Sequence, residues 1–439
     1  MKKAILLLFF GAVVVALSFA IGQAESSASS ASKTLPEVTV LINQSPWLAG
    51  FQAIAALYTK ETGNSVKVEP VPFAAIIPKS MNATSASDSE YDILTLGEQM
   101  YVPFFAGGLV TPLNKIDPNF KLDPQVIEYN YVDRWDTTTN TSDKNGELYG
   151  VPINGNLQVL FYRTDLFAAK NLEPPKTWAE VEADAKILSN PPNVYGYVDR
   201  SSESQDWVFQ AFLYGYGGSV AHRDASTGKW VVDVNNAAGH KALQVYLHLL
   251  QAYAPPNWKS LSQAELISLM ATGHAAMIPT TVAAQSILND PKQSAVVGKV
   301  GATVIPGETA ETRAPISGMW LQSIPNNLPM DKKKAALAFL SWAISKPAQQ
   351  AYVNAGSIPI RQDIYDELAH SGDPRYFWAQ AMAQSTPFIH PIMVRTTAAA
   401  TIIEIMDRLL GQTIAGQIQP NDCLNQMQNE IQAALNAAG

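Results

Sequence analysis

Cysteine and charged residues are both scarce in this chain of 439 residues. Its one cysteine, Cys423, can form neither an internal disulfide nor a zinc site. Charged residues make up 15% of the chain, whereas an average soluble protein has about 25%. Acidic residues outnumber basic ones by 38 to 30. Because a nucleic acid requires a basic surface, we expect no nucleic-acid partner.

Long apolar runs are also missing, except at the N-terminus. The run over residues 4–20 follows two lysines, and small residues at positions 22 and 24 predict cleavage after Ala24. A transmembrane anchor is the alternative, but the run is interrupted and barely long enough to span a bilayer. We expect a signal peptide over 1–24, a low-complexity linker over 25–33, and a mature protein exported to the periplasm as a soluble monomer.

Sequence motifs for catalysis and metal binding are missing as well. The chain contains no CxxC, HExxH, GxxxxGK[ST] or GxSxG pattern, and its six histidines are scattered. We therefore expect no catalytic residue, no metal and no cofactor.

Strand and helix patterns alternate along the chain and predict an α/β fold. The first strand patterns cover residues 38–42, 65–69 and 91–96. The second of them is predicted to stop at Pro70, and a helix separates it from the first. This order implies a largely parallel sheet covered by helices, in which ligands bind beyond the carboxyl ends of the strands. The loops 43–47 and 97–101 occupy those ends.

Capping patterns predict several helix boundaries. Capping boxes at Thr177–Glu180 and Ser262–Glu265 each indicate the start of a helix. Gly411 is predicted to end a helix near the C-terminus. Thr280 and Thr281 follow a short strand and are expected to cap the next helix.

Aromatic side chains stand out on the polar loops. They are Trp47, Tyr101, Trp207, Trp320 and Trp378. Aromatic rings suit the apolar C–H faces of sugars, and amides and carboxylates suit their hydroxyl rims, so these loops are candidates for carbohydrate binding. Core packing is the alternative for each ring. Trp178 and Trp342 occupy regular helical positions and are predicted to be core residues, and Trp230 is predicted to pack in a hairpin.

Six sequence blocks carry a family resemblance over essentially the whole mature chain. They cover residues 91–113, 146–167, 174–178, 272–277, 336–352 and 357–361. The second block joins GELYGVP to LFYRTDLF, the third reads PPKTW, and the fourth reads TGHAAM. In this order the blocks resemble those of the maltose-binding-protein-like group, the extracellular carbohydrate-binding proteins of ABC importers.

The resemblance implies a two-lobed periplasmic-binding-protein fold of the α/β class with crossing hinge strands. On the family pattern, lobe 1 comprises 34–152 with 306–360, and lobe 2 comprises 153–305 with 361–439. A carbohydrate is then expected to bind in the cleft between the lobes and to be delivered to the membrane permease of an ABC transporter.

The resemblance also places the ligand-binding residues. They are Asn43, Ser45, Trp47, Glu98, Gln99, Asn154, Asn156, Gln205, Asp206, Trp207, Thr280, Thr281, Gly318, Met319, Trp320 and Arg361. Trp207 stands where the family often has a sugar-stacking aromatic. Two positions depart from the family pattern: Pro279–Ala283 replaces its GPW context, and no aromatic precedes the helix near Ile402. Fewer stacking rings suit a smaller sugar, a polyol, or a ligand that is not a sugar.

Two other functions remain open on the sequence alone. A secreted carbohydrate-active hydrolase would use Glu98 together with an acid from lobe 2. A binding protein for an anion or an oligopeptide would use Arg361 or Arg395, although a structural role at the hinge is the alternative for Arg361.

Overall fold

The computed structural model describes residues 35–224 and 226–438. The predicted signal peptide and linker lie outside these residues. Within the described part of the chain, no helix is both long enough and apolar enough to cross a membrane.

The strands of the described residues are β1 (Val38–Asn43), β2 (Val66–Val71), β3 (Ile93–Gly97), β4 (Arg134–Trp135), β5 (Glu147–Leu148), β6 (Gly150–Asn154), β7 (Gln158–Arg163), β8 (Ala221–Arg223), β9 (Trp230–Val232), β10 (Met277–Thr281), β11 (Val300–Thr303) and β12 (Trp320–Ser323). The helices are α1 (Leu48–Thr62), α2 (Ile76–Ser85), α3 (Val102–Ala106), α4 (Leu113–Ile116), α5 (Thr164–Ala169), α6 (Trp178–Leu188), α7 (Gln205–Gly215), α8 (Ala237–Tyr253), α9 (Gln263–Ala271), α10 (Gln285–Leu288), α11 (Met330–Ala343), α12 (Lys346–Asn354), α13 (Gln362–His370), α14 (Ala379–Ser385), α15 (Ala399–Ala415) and α16 (Pro420–Ala438).

The larger sheet has five strands in the order β2-β1-β3-β12-β6. Strand β1 pairs in parallel with β2 and with β3, as predicted. Strand β12 enters between β3 and β6 and pairs antiparallel with both. Strand β6 therefore points in the same direction as β1, β2 and β3. The prediction of a largely parallel sheet holds for four of the five strands, and β12 is the exception because it comes from a part of the chain that a local pattern cannot connect to β3.

The smaller sheet has three strands, with β7 between β10 and β11 and both pairings antiparallel. Only residues 155–157 separate β6 from β7, so the chain passes directly from one sheet to the other. Alternate side chains of β7 join different hydrophobic clusters: Val159 and Phe161 pack with the larger sheet, whereas Leu160 packs with α7, α8, α15 and α16. The α/β two-lobed fold class predicted from the sequence is confirmed.

Most predicted helix boundaries are confirmed. Both capping boxes are formed, at Thr177 before α6 and at Ser262 before α9. Thr281 caps the turn after β10 by accepting a hydrogen bond from the Ala283 amide, whereas Thr280 lies inside the strand.

Two predicted ends were wrong. Strand β2 continues through Pro70 because it lies at the edge of the sheet, where a residue without an N–H is tolerated. Helix α15 continues past Gly411 and ends at Gly416, whose φ is 82°. Thr413 and Ile414 are buried in the added turn, and their packing outweighs the cost of about 1 kcal/mol of a glycine inside a helix.

Candidate functional site

Two indole rings meet at the edge of the larger sheet where β1 ends and β12 begins. Trp47 follows β1 and Trp320 begins β12, and their ring centroids are 5.7 Å apart with the planes tilted by 49°. Phe73, just beyond β2, stands edge-on to Trp320 at 6.0 Å. Phe73 is 51% exposed, so this aromatic group is open to solvent at one end.

A second group of predicted residues meets at the passage between the sheets. Asn156 lies between β6 and β7 and accepts a hydrogen bond from the Thr281 hydroxyl at the end of β10. Trp207, on the first turn of α7, donates from its indole N–H to the Ser317 carbonyl at 3.1 Å. A Cβ on Gly318 would lie 3.6 Å from the Asn156 amide nitrogen and 3.8 Å from the Trp207 ring.

The candidate site comprises these two groups together. Its members are Trp47, Asn156, Trp207, Thr281, Gly318 and Trp320. The segment 318–320 joins the groups, and the chemistry offered is indole, amide and hydroxyl without a charged side chain. Arg200 lies over Trp207, with its guanidinium carbon 4.4 Å from the ring centroid. Arg200 therefore covers the Trp207 ring, which is 5% exposed, and the Gly318 position lies near the Cζ2 edge of that ring.

A buried ion pair lies behind the candidate site. Glu98 is completely buried, and Arg395 is 6% exposed. Arg395 Nη2 donates to Glu98 at 2.8 Å and to the Tyr129 carbonyl at 2.9 Å. The Ser317 hydroxyl also donates to the Glu98 carboxylate. The carboxylate of Glu98 is thus engaged within the protein, and the same residue, Ser317, links it to Trp207.

Asp206 faces away from the candidate site. Its backbone amide donates to Asp407 on α15 at 2.8 Å. Burial and the neighbouring Asp407 carboxylate raise the pKa of Asp206 well above its ordinary value. Gln205, one residue earlier, donates to the Ser201 carbonyl at 2.8 Å. At the start of α7, Trp207 therefore lies near Gly318, whereas Gln205 and Asp206 contact other parts of the protein.

Arg361 is occupied by structural contacts. It is 3% exposed. Its guanidinium binds Asp363 at 2.9 Å and Asp123 at 2.8 Å and donates to the Ile344 carbonyl at 3.1 Å. These contacts tie the start of α13 to the end of α11 and to the loop before residue 124.

The other predicted residues are spread around the candidate site. Asn43, Ser45 and Thr280 each have a buried side-chain oxygen without a hydrogen-bond partner among the described residues. These three oxygens remain available to a bound molecule or to water.

Three further predicted residues are engaged within the protein. Asn154 accepts a hydrogen bond from the Tyr352 hydroxyl at 3.1 Å. The Gln99 side chain folds back against Gly97, and Met319 is completely buried in the first hydrophobic cluster.

Several aromatic side chains considered in the sequence pack in the core or in a hairpin. Tyr101 and Trp378 were candidates for carbohydrate binding, but they are 0% and 1% exposed in the first hydrophobic cluster. Trp47, Trp207 and Trp320 are also buried, with exposed fractions of 5%, 5% and 8%. Trp178 is a core residue, as predicted, and stacks on Phe212 at 3.9 Å. Trp342 packs partly buried against the core, and Trp230 lies in the β8–β9 hairpin as predicted.

Two residues near the candidate site were missed from the sequence. Ser317 was not predicted because a serine before a glycine matches no sequence motif that indicates a binding residue. Phe73 could have been found, since an aromatic residue after Pro72 at the carboxyl end of β2 lies at the same edge as Trp47. In the described part of the chain, no group of three or more His, Cys, Asp or Glu residues is arranged to hold a metal ion.

Known proteins resemble this chain in sequence and in structure. The mannitol-binding protein of Pseudomonas aeruginosa is 26% identical over 260 residues, which are 58% of this chain and 57% of that protein. The matched part therefore spans little more than half the length of that relative. The erythritol/L-threitol-binding protein of Mycolicibacterium smegmatis is 21% identical over 75% of this chain and 71% of its own length.

Solved structures share the fold. An ABC transporter solute-binding protein from Agrobacterium radiobacter K84, in complex with ribitol, superposes with a TM-score of 0.71 at 23% identity, over 91% of this chain and 100% of that one. The sequence profile of the bacterial extracellular solute-binding proteins matches residues 53–377. This is well over half of the chain, and the chain belongs to that family.

Proposed function

We propose that this protein is the exported solute-binding component of an ABC importer and that it captures a neutral polyol or small sugar without altering it. The observation that carries the proposal is the composition of the candidate site. Its indoles, amide and hydroxyl match the C–H faces and hydroxyl groups of such a ligand. The charges behind the site, Glu98 and Arg395, are buried and paired with each other.

The relatives support the same class of ligand. The proteins compared above are described as binding mannitol, erythritol, L-threitol and ribitol. All four are neutral open-chain polyols, with hydroxyl groups in place of a rigid sugar ring. The indoles of the candidate site suit the C–H groups of such a chain, and the orphan oxygens of Asn43, Ser45 and Thr280 around it suit the hydroxyl groups. We infer an acyclic polyol as the first ligand to test.

An anionic ligand is disfavoured by the state of the two arginines. Arg361 is bound by two carboxylates, so it contributes little free positive charge. Arg395 donates to Glu98 and to the carbonyls of Tyr129 and Asn130. An anion at Arg361 would have to displace a carboxylate that is already in contact, and an anion at Arg395 would lie beside the Glu98 carboxylate.

A hydrolase is disfavoured by the state of the carboxylates. A glycosidase needs two carboxyl groups that face one bond across about 5 to 10 Å. Glu98 is paired with Arg395, and Asp206 is buried beside Asp407. The acids that the sequence suggested therefore contact other protein groups. We propose binding without chemistry.

Ligand capture by lobe closure fits the layout of the two sheets. We infer that lobe 1 carries the five-stranded sheet and lobe 2 the three-stranded sheet, with bounds near 34–152 and 306–360, and 153–305 and 361–439. Gly155, at the passage between them, has no room for a Cβ because the Tyr129 and Tyr365 hydroxyls lie against it. Residues of both lobes meet at the candidate site, so a ligand there would stabilise the closed form that docks on a permease.

The proposal predicts selective stabilisation by neutral polyols. We expect D-mannitol, ribitol or erythritol to raise the melting temperature of the purified protein, because a ligand that binds only the native state stabilises it by mass action. Inorganic phosphate, gluconate and glycerol 3-phosphate at equal concentration serve as anionic counterparts. Mass analysis of the recovered ligand accompanies each positive result.

Each outcome of this screen is informative. A shift with polyols alone and an unaltered ligand supports the proposal. A rise in melting temperature with the anions alone would show that the protein binds anions instead. A ligand recovered in chemically altered form would show that the protein is an enzyme.

Gly318 offers a test of where the ligand binds. A Cβ at this position fits at ordinary contact distance, so we expect Gly318→Ala to bind within about threefold of the wild type. The longer side chain of Gly318→Leu would occupy the space between Asn156 and Trp207, and we expect about 30-fold weaker binding, or about 2 kcal/mol. Titration calorimetry with the polyol found in the screen measures both. Equal affinities of the Ala and Leu variants would place the ligand away from Trp207.

A further inference from the structure

Helix α7, which carries Trp207, begins without a side-chain cap. Ser204 precedes the helix in a left-handed conformation with a φ of 47°, and its side chain makes no capping hydrogen bond. The first amide groups of a helix have no partner within the helix itself. One of them, the Asp206 amide, donates instead to Asp407 on α15. The position of Trp207 therefore depends on contacts from other parts of the fold.

Contacts from three directions hold Trp207. Its carbonyl accepts a hydrogen bond from the Gln158 side chain at 3.1 Å, and its indole N–H donates to the Ser317 carbonyl. The guanidinium of Arg200 lies over the face of its ring. On the lobe bounds inferred above, Gln158 and Arg200 belong to the same lobe as Trp207, whereas Ser317 lies in the segment 306–360 of the other lobe. The hydrogen bond to Ser317 therefore depends on how the lobes are placed, and the contact with Arg200 does not.

Arg200 brings a buried positive charge to the face of the ring. It is 7% exposed, and its guanidinium carbon lies 4.4 Å from the ring centroid. Its Nε–H is buried with no acceptor among the described residues, and its Nη1 donates to the Gln263 side chain at 2.9 Å. Burial lowers the pKa of the guanidinium, and the carboxylate of Asp199 is the first of the neighbouring charges that oppose this shift. Because a cation binds an indole face most strongly when it is desolvated, the ring is a substantial part of what stabilises this charge.

The backbone and the side chain of Arg200 are both anchored. Its amide donates to the Asp199 carboxylate at 2.8 Å, and the Tyr197 hydroxyl donates to the same carboxylate at 2.8 Å. Gln263, which accepts from the guanidinium, is the first residue of α9, and the capping box at Ser262 fixes the start of that helix. The guanidinium is therefore held in place from the side that faces away from the ring.

We propose that Arg200 is the positioning residue for Trp207 and that it holds the indole in its binding orientation while the ligand is still absent. A ring that is already in place loses less conformational freedom when a ligand binds, which favours affinity. The inference rests on the proposed function, since it takes Trp207 as a ligand contact. The ligand does not have to touch Arg200 itself.

Three substitutions separate the charge of Arg200 from its bulk. Arg200→Met keeps an unbranched stem and removes the charge, and we expect about 20-fold weaker binding of the polyol found in the screen. Arg200→Lys restores a cation without the planar group, and we expect about fourfold weaker binding. Gln263→Ala leaves Arg200 without its side-chain acceptor, and we expect about threefold weaker binding. Titration calorimetry below the melting temperature of each variant measures these affinities.

Fluorine NMR of the ligand-free protein reports on the ring itself. Fluorotryptophan labels all nine tryptophans, and Trp207→Phe identifies the resonance of Trp207. Loss of a nearby charge shifts this resonance in any case, whereas broadening or splitting indicates more than one ring orientation. We expect broadening or splitting in Arg200→Met, and less of it in Arg200→Lys. The matched control is Arg375→Met, which removes a guanidinium 5.1 Å from the ring centroid of Tyr376 and should change neither this resonance nor the affinity.

The outcomes distinguish this inference from the proposed function. If the wild type binds no polyol, the proposed function fails, and the fluorine spectra alone decide the role of Arg200. A single sharp Trp207 resonance in Arg200→Met overturns the inference. Equal affinities of Arg200→Met and Arg200→Lys also overturn it, because a side chain that only fills space would not distinguish them. If Arg200→Met does not fold, Arg200→Lys and Gln263→Ala must each broaden the resonance and weaken binding, and the inference is overturned if they do not.

Discussion

Replacement of Trp207 by alanine is expected to weaken polyol binding about 100-fold, or about 2.7 kcal/mol. Trp207 and the Asn156 amide both lie near the Gly318 position, and aromatic anchors of this kind dominate binding energy. Trp207→Phe keeps a ring but loses the hydrogen bond to the Ser317 carbonyl. We expect an intermediate loss of about tenfold for it, because the smaller ring is less firmly positioned.

Titration calorimetry, at a temperature well below the melting point of each variant, measures the affinity for the polyol. The matched control is Trp342→Ala, which removes an indole that packs on Tyr58 at 5.3 Å, far along the chain from the site. It should lower the melting temperature without changing affinity. Wild-type affinity in Trp207→Ala would contradict the placement of the ligand.

Removal of one partner of the Glu98–Arg395 pair is expected to cost about 3–5 kcal/mol of unfolding free energy. Glu98→Ala leaves the guanidinium of Arg395 buried with only carbonyl acceptors and the neighbouring Asp133. The cost arises from the uncompensated charge rather than from the loss of contacts. Glu98→Met with Arg395→Met removes both charges, and we expect it to recover a large part of the loss.

Urea unfolding of Glu98→Met, Arg395→Met and the double variant gives the coupling energy directly, and Glu98→Ala is measured beside them. The control pair is Arg408–Glu430 on α15 and α16, whose side chains are 45% and 40% exposed. Glu430→Ala should cost less than about 1 kcal/mol, as surface pairs do. A comparably small loss for Glu98→Ala, or strict additivity in the double variant, would show that the buried pair is unimportant.

The sequence predicted those parts of the fold and site that depend on short-range signals. The capping boxes before α6 and α9 were visible because both partners lie within one helical turn. Trp47 was found on the loop after the first strand. Trp207 was named from the family resemblance and placed on a polar loop, whereas it lies in the first turn of α7. Their roles as ligand contacts stay predictions.

Contacts between residues far apart in the sequence could not be predicted from local patterns. The insertion of β12 between β3 and β6 joins segments that no local pattern connects. The pairing of Glu98 with Arg395 spans almost 300 positions, with |i−j| = 297. Both residues were named from the sequence, one for a hydrolase and the other for an anion site. Nothing in the sequence indicated that they neutralise each other, which is the feature that favours a neutral ligand.

The most direct test of the account is a crystal structure of the protein with the polyol that gives the largest stabilisation. We expect electron density for the intact polyol between Trp207, Gly318 and Asn156. Trp320 and Thr281 should contact the polyol, and the Glu98–Arg395 pair should remain intact. A polyol found only elsewhere on the protein, or one whose hydroxyl groups replace the Glu98–Arg395 contact, would contradict it.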